Sequence, residues 1–111
     1  AARGGLQGAE FPWGDEPPTP ARANYAASGI GTTTRVRSYP PNAWGLYDVA
    51  GNVWEYCADL WPAQAEGEAE RRVIRGGSYG GAPVNLRVAF RDSHPATGAG
   101  PHVGFRCARD A

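Results

Sequence analysis

The sequence contains no lysine and no methionine, so its 11 basic side chains other than histidine are all arginine. They are matched by 11 acidic ones, and this balance leaves no one-signed surface for nucleic acid or anionic lipid. No apolar run is long enough to cross a membrane, and no signal-like segment is present. The two cysteines, Cys57 and Cys107, form no C-x-x-C pair, which excludes a metal knuckle or a thioredoxin-like site. One disulfide and two buried thiols both stand open as readings of that pair. No G-x-x-x-x-G-K-[ST] occurs, so a P-loop is excluded. Long helical periodicity, internal repeats and low-complexity linkers are all lacking, and 111 residues suit one domain, 1–111, with a single core. A lysine-free chain rich in Ala and Pro points to a GC-rich coding sequence and a thermophilic source. The abrupt opening "AARGGLQG", without Met, points to a fragment or a processed piece and leaves localisation open.

What is present is punctuation: 16 Gly and 10 Pro in 111 residues, which predicts many turns and little regular structure. The first 25 residues read as irregular coil pinned by Phe11 and Trp13. One short strand is expected over residues 33–38, ahead of the Pro40-Pro41 turn. A second follows the Gly51-Asn52 turn, through Val53, Trp54, Tyr56 and Cys57. "PAQAEGEAERR" reads as an acidic solvated loop. "RRVIRGGSY" supplies a strand ending at two glycines, and "HVGFRCAR" supplies the last one. With so few aliphatics available, the four tryptophans, Trp13, Trp44, Trp54 and Trp61, are expected in the core, Trp54 above all.

Three motifs invite chemistry. Residues 76–80, "GGSYG", match G-x-S-x-G, but that nucleophile elbow needs a helix to follow at once, and Pro83 with two more glycines opposes one. His94 and His102 fit no zinc spacing and read as surface-loop histidines. In "DVAGNVWE", Asp48 and Glu55 stand seven residues apart around a Gly-Asn turn. A hard cation such as Ca²⁺ wants six to eight oxygens from carboxylates and carbonyls, some of which this loop could offer. The plainer reading has Asp48 capping the turn and Glu55 paired with one of the arginines.

In order, "AARGGLQG…FPWGDE", "ARANY", "YPPNAWGLYDVAGNVWEYCADLW", "RVIRGGSY" and "VGFRCARD" resemble the blocks of the formylglycine-generating enzyme (sulfatase-modifying factor) family over nearly the whole chain. The resemblance implies an α+β, C-type-lectin-like fold of short antiparallel strands, few helices and much ordered loop. It also implies that the family's N-terminal helix and first strand are missing or shortened here. It assigns a structural Ca²⁺ to the side chains of Asp48 and Glu55 and to backbone oxygens of Gly51 and Val53. A second family calcium site would start at Asn24 and Tyr25, but its acidic loop is here "AASGIGTTT", without a carboxylate. The family's oxidase needs two copper-binding cysteines after "GGSY", and those positions fall on Gly81 and Leu86. Neither binds copper. The resemblance therefore predicts no oxidase activity and no copper.

The chain also resembles the variable proteins of diversity-generating retroelements, which rewrite a C-terminal segment starting near "RGGS". Their rewritten codons exclude Gln, Glu, Lys, Met and Trp. From residue 76 to 111 none of these five occurs, whereas the first 75 residues hold six Glu, two Gln and four Trp. At that rate about six would fall in the last 36 residues. The implied function is a non-catalytic display of a ligand-binding surface, residues 76–106, for a protein partner, and such a protein would be secreted or at the cell surface. Tyr79, Phe90, His94 and His102 would be its anchors. Gly80, Gly81, Ala82, Gly98 and Gly100 would shape a pocket, and Val84, Val88, Asp92 and Ser93 would vary around it. Buried arginines and Asn85 would hold the backbone beneath. The Glu-Pro-Asn and Gln-Pro-Asp triplets of sugar-binding lectins are absent, so carbohydrate is not favoured.

Overall fold

The computed structural model describes residues 1–62 and 70–109. The acidic connection read as a loop lies mostly outside the described residues. Four strands make one sheet: β1 (Trp54–Leu60), β2 (Arg71–Arg75), β3 (Asp92–Pro95) and β4 (Val103–Gly104), in the order β3-β2-β1-β4. β1 runs antiparallel to β2, and β2 antiparallel to β3. β4 lies parallel to β1 through Trp54–Val103 and Glu55–Gly104, so the sheet is not purely antiparallel. The only helices among the described residues are two 3-10 turns, Ala26–Ser28 and Pro83–Leu86.

β2 sits inside the sheet, with Val73 and Ile74 both almost fully buried. Successive residues of a strand face opposite sides, so this strand is covered on both faces, which is why it needs consecutive β-branched residues. The separate core beside the sheet is small: Phe11, Ala23, Tyr25, Ala50 and Leu86, with Trp13 packed on it. Phe11 and Trp13 stack with centroids 5.3 Å apart.

Residues 1–53 contain no strand that pairs into the sheet, so side chains must satisfy their backbone groups. Asn42 is the clearest case. Its Nδ2 donates to the carbonyls of Ala1 and Ala2, and its Oδ1 accepts from the N–H groups of Trp44 and Leu46. All four hydrogen-bonding positions of that carboxamide are filled.

Four expectations are corrected. Residues 33–38 form no strand: the Arg37 N–H is held by Asp48 Oδ2 and the Thr34 N–H by Asn52 Oδ1, so side chains stand where a ladder would be, and Val36 is exposed. The last strand is two residues long rather than eight, because β1 offers its edge only at Trp54 and Glu55. No tryptophan belongs to the fully buried core. Trp44 is 63% exposed, projected outward by the 42–45 turn that the Gly45 N–H to Asn42 carbonyl bond closes. The framework arginines also lie at the surface, with Arg75, Arg91 and Arg106 exposed and Arg87 half-buried. Three of these four do hold backbone: Arg75 donates to the Val88 carbonyl, Arg87 to that of Val84 and Arg106 to that of Asp48.

Candidate ligand-binding surface

After β2, Gly76 and Gly77 turn the chain into the segment expected to display side chains. The turn is fixed from beneath. The Tyr79 N–H donates to the Asn52 carbonyl, the Gly81 N–H to that of Ser78, and the Gly81 carbonyl accepts from Ala26. Asn85 Oδ1 accepts the Ala82 N–H at 2.9 Å, and Leu86 anchors the following 3-10 turn in the core. Ser78 is buried, its Oγ accepts the Gly80 N–H, and a 3-10 turn rather than a helix follows, so it is no exposed nucleophile.

Above this base the Tyr79 ring stacks on His102 at 4.7 Å and 25°, joining the two ends of the segment. Gly80, Ala82, Val84, Asp92, Gly100 and His102 are exposed, Tyr79 and Gly81 half so. The other candidates are taken into the framework. Phe90 packs on Trp54 at 6.0 Å, with the Arg87 guanidinium over its ring. Val88 binds the Glu10 carbonyl through its N–H. Ser93 receives two bonds from Arg71. His94 belongs to β3, half-buried, rather than to a surface loop, and its Nδ1 lies 2.6 Å from the Tyr56 hydroxyl. A Cβ on Gly98 would lie 2.7 Å from the His94 ring, so that position admits no side chain without a shift.

Tyr56 is the residue that sequence reasoning missed. Its hydroxyl also lies 2.8 Å from the Pro95 carbonyl and 2.9 Å from that of Gly98. One hydroxyl hydrogen cannot serve three acceptors, so the network assigns the proton at Nδ1 of His94, which donates to Tyr56. A tyrosine on a strand carries no sequence signal for such a clamp.

The two carboxylates of the calcium reading do come together. Asp48, Val53 and Glu55 line one open cleft of about 420 Å³, while the Gly51 N–H is bound to the Gly76 carbonyl. Arg106 enters the same cleft. Its Nε binds Glu55 Oε1 at 2.6 Å and its Nη2 the Asp48 carbonyl at 3.1 Å. Among the described residues no group of three or more His, Cys, Asp or Glu side chains is placed to hold a metal ion. Arg106 already occupies one of the two Glu55 oxygens.

Burial raises the Glu55 carboxyl above its ordinary range, and the hydrogen bond and charge of Arg106 only partly offset this. A carboxyl raised on folding holds its proton more tightly in the folded chain. Stability from that proton is present below the ordinary carboxylate range and is lost as pH rises through the folded value. Glu55→Gln should therefore leave the neutral-pH Tm equal or higher, with an advantage that shrinks on acidification. Arg106→Ala, which strips a half-buried carboxylate of its partner, should cost about 1 kcal/mol. Thermal melts from pH 4 to 8 check both. A lower Tm for Glu55→Gln, together with loss of any response to chelator, would assign Glu55 to a metal.

At the two positions where the resemblance would require copper ligands stand Gly81, in the turn, and Leu86, in the core. The two cysteines are free thiols, but Cys57 is only half-buried and Cys107 is exposed, so they are neither a disulfide nor a pair of buried thiols. Burial pushes the Cys57 thiol up, with Arg75 opposing, which disfavours the nucleophilic thiolate.

The sulfatase-modifying factor enzyme 1-like domain matches residues 1–111. A formylglycine-generating enzyme of Streptomyces coelicolor is 37% identical over all of this chain and 44% of its own length. An "inactive C-alpha-formylglycine-generating enzyme 2" of Bos taurus is also 37% identical, over all of this chain and 41% of its own. Among solved structures, Treponema denticola variable protein 1 superposes with a TM-score of 0.75 at 28% identity, over 94% of this chain and 41% of that one. The chain spans less than half the length of each, and overall identity does not separate the active relative from the inactive one.

Proposed function

Because the chain belongs to the sulfatase-modifying factor (formylglycine-generating enzyme) domain family, we propose that it is a non-catalytic member that binds a protein ligand, in the manner of a retroelement variable protein. The carrying observation is the Tyr79–His102 stack, beside exposed Gly80, on a turn locked from below. Stacked aromatics give contact area at low entropic cost, and a rigid base keeps them preorganised whatever the neighbouring side chains are. Gly81 and Leu86 supply no thiolate for copper, which supports the absence of oxidase chemistry.

The test is tolerance. Ala82→Tyr, Val84→Asn and Gly100→Ser combined should leave Tm within a few degrees, since surface changes stay within about 0.5 kcal/mol each. A cooperative loss of fold would mean that this face is core and would end the display reading. Tyr79→Ala with His102→Ala should abolish partner binding at unchanged Tm. Phe90 is unsuitable for that experiment, because its packing on Trp54 makes it structural as well. A copper-loaded sample given a cysteine-containing peptide should leave it unoxidised; turnover would favour a family enzyme instead. A structural Ca²⁺ at Asp48, Gly51, Val53 and Glu55 is proposed only on the strength of the family resemblance, and chelator melts with Glu55→Gln decide it. The described residues include no helix long and apolar enough to cross a membrane.

A further inference from the structure

The ladder between β2 and β3 ends beside two arginines. The ladder pairs Arg71 with Pro95, Arg72 with His94, Val73 with Ser93 and Ile74 with Asp92, and Arg75 and Arg91 are the residues next along the two chains at its end. On its other side Arg75 faces Glu55, which could neutralise it, but that carboxylate is given to Arg106. Arg75 also reaches the turn that begins at Arg87. Arg75 Nη1 binds the Val88 carbonyl at 3.1 Å, inside the turn that the Phe90 N–H to Arg87 carbonyl bond closes. Arg87 lies over Phe90 at 5.9 Å and Arg91 over Trp61 at 5.3 Å. Among the described residues none of these three guanidiniums has a carboxylate within ion-pair distance. Carbonyls and rings, not counter-ions, hold them in place.

We propose that Arg75, Arg87 and Arg91 form a docking face for an acidic protein segment whose carboxylates complete this charge. The proposal rests on the ligand-binding reading and specifies its partner's chemistry. Guanidinium forks match carboxylates in bidentate geometry. The chain as a whole is charge-balanced and the cluster is local, which suits a short acidic segment better than the long basic stripe that a nucleic acid needs.

Hexaglutamate peptide, titrated into the whole chain at low salt and followed by tryptophan fluorescence, is the probe. Saturable binding is expected that hexalysine does not share. It should weaken about tenfold or more in Arg75→Gln/Arg91→Gln, and weaken also with added salt. Should the double variant fail to fold, Arg91→Gln alone carries the test, because its guanidinium lies over the Trp61 ring and, among the described residues, makes no hydrogen bond or ion pair. Absence of saturable binding, undiminished binding by the folded variant, or tighter binding of inorganic phosphate or single-stranded oligonucleotide through the same arginines would overturn the proposal. If hexaglutamate fails while the Ala82/Val84/Gly100 variant keeps its Tm, the charge inference falls and the display reading stands.

Discussion

Gly51→Ala should leave little folded protein. Gly51 has φ +78°, and a Cβ there would lie 2.6 Å from the Asn24 carbonyl oxygen, 3.1 Å from the Asn24 nitrogen and 3.2 Å from Ala23 Cβ. Two of those atoms are backbone, so no rotamer change relieves the overlap. The left-handed conformation alone costs about 1–2 kcal/mol in an L-residue. Relief of the overlap requires the 50–52 turn to part from residues 23–24, which breaks the bond from the Asn52 N–H to the Asn24 carbonyl and strains that from Gly51 to Gly76. Each buried backbone group left unpaired costs a further 1–3 kcal/mol or so. A total of about 4 kcal/mol or more is a large part of the roughly 5–15 kcal/mol that holds a domain folded. Gly8→Ala is the control: φ is +67°, but nothing lies within 4 Å of the added carbon, so only the conformational term remains. Thermal melts of the two side by side check this. Equal shifts would show that the close approach at Asn24 is not there.

Leu86→Ala should cost about 2–5 kcal/mol, the usual range for truncating a fully buried leucine. Leu86 is 1% exposed and shares its cluster with Phe11, Ala23, Tyr25 and Ala50. Two of those neighbours are alanines, which have no side chain to move into the void. The same residue ends the 3-10 turn that carries Val84, so the loss should also loosen that turn. Leu86→Met, which keeps the volume, should cost less than about 1.5 kcal/mol. Denaturant midpoints at constant m distinguish the pair. A Leu86→Ala midpoint close to that of the parent would mean that the turn is held by Asn85 alone.

The order of its blocks, a local property, already determined a good deal of this protein. It carried the family, the strands around Trp54 and Val73 and the turn at Gly51-Asn52. Strands and tight turns are specified by neighbours a few residues apart, so they are legible in one dimension. Which candidate side chains face water was not legible. Irregular chain has no period, and burial there depends on what lies across from a residue. Trp44 is turned out while the smaller Leu86 fills the core. Ser93 and His94, alike in sequence to their exposed neighbour Asp92, are claimed by Arg71 and Tyr56 from distant strands. Glu55 meets Arg106, 51 residues on, rather than Arg75, its neighbour in the sheet. Contacts between residues this far apart form only when the chain closes on itself, so the three-dimensional fold alone decides which arginine meets which carboxylate.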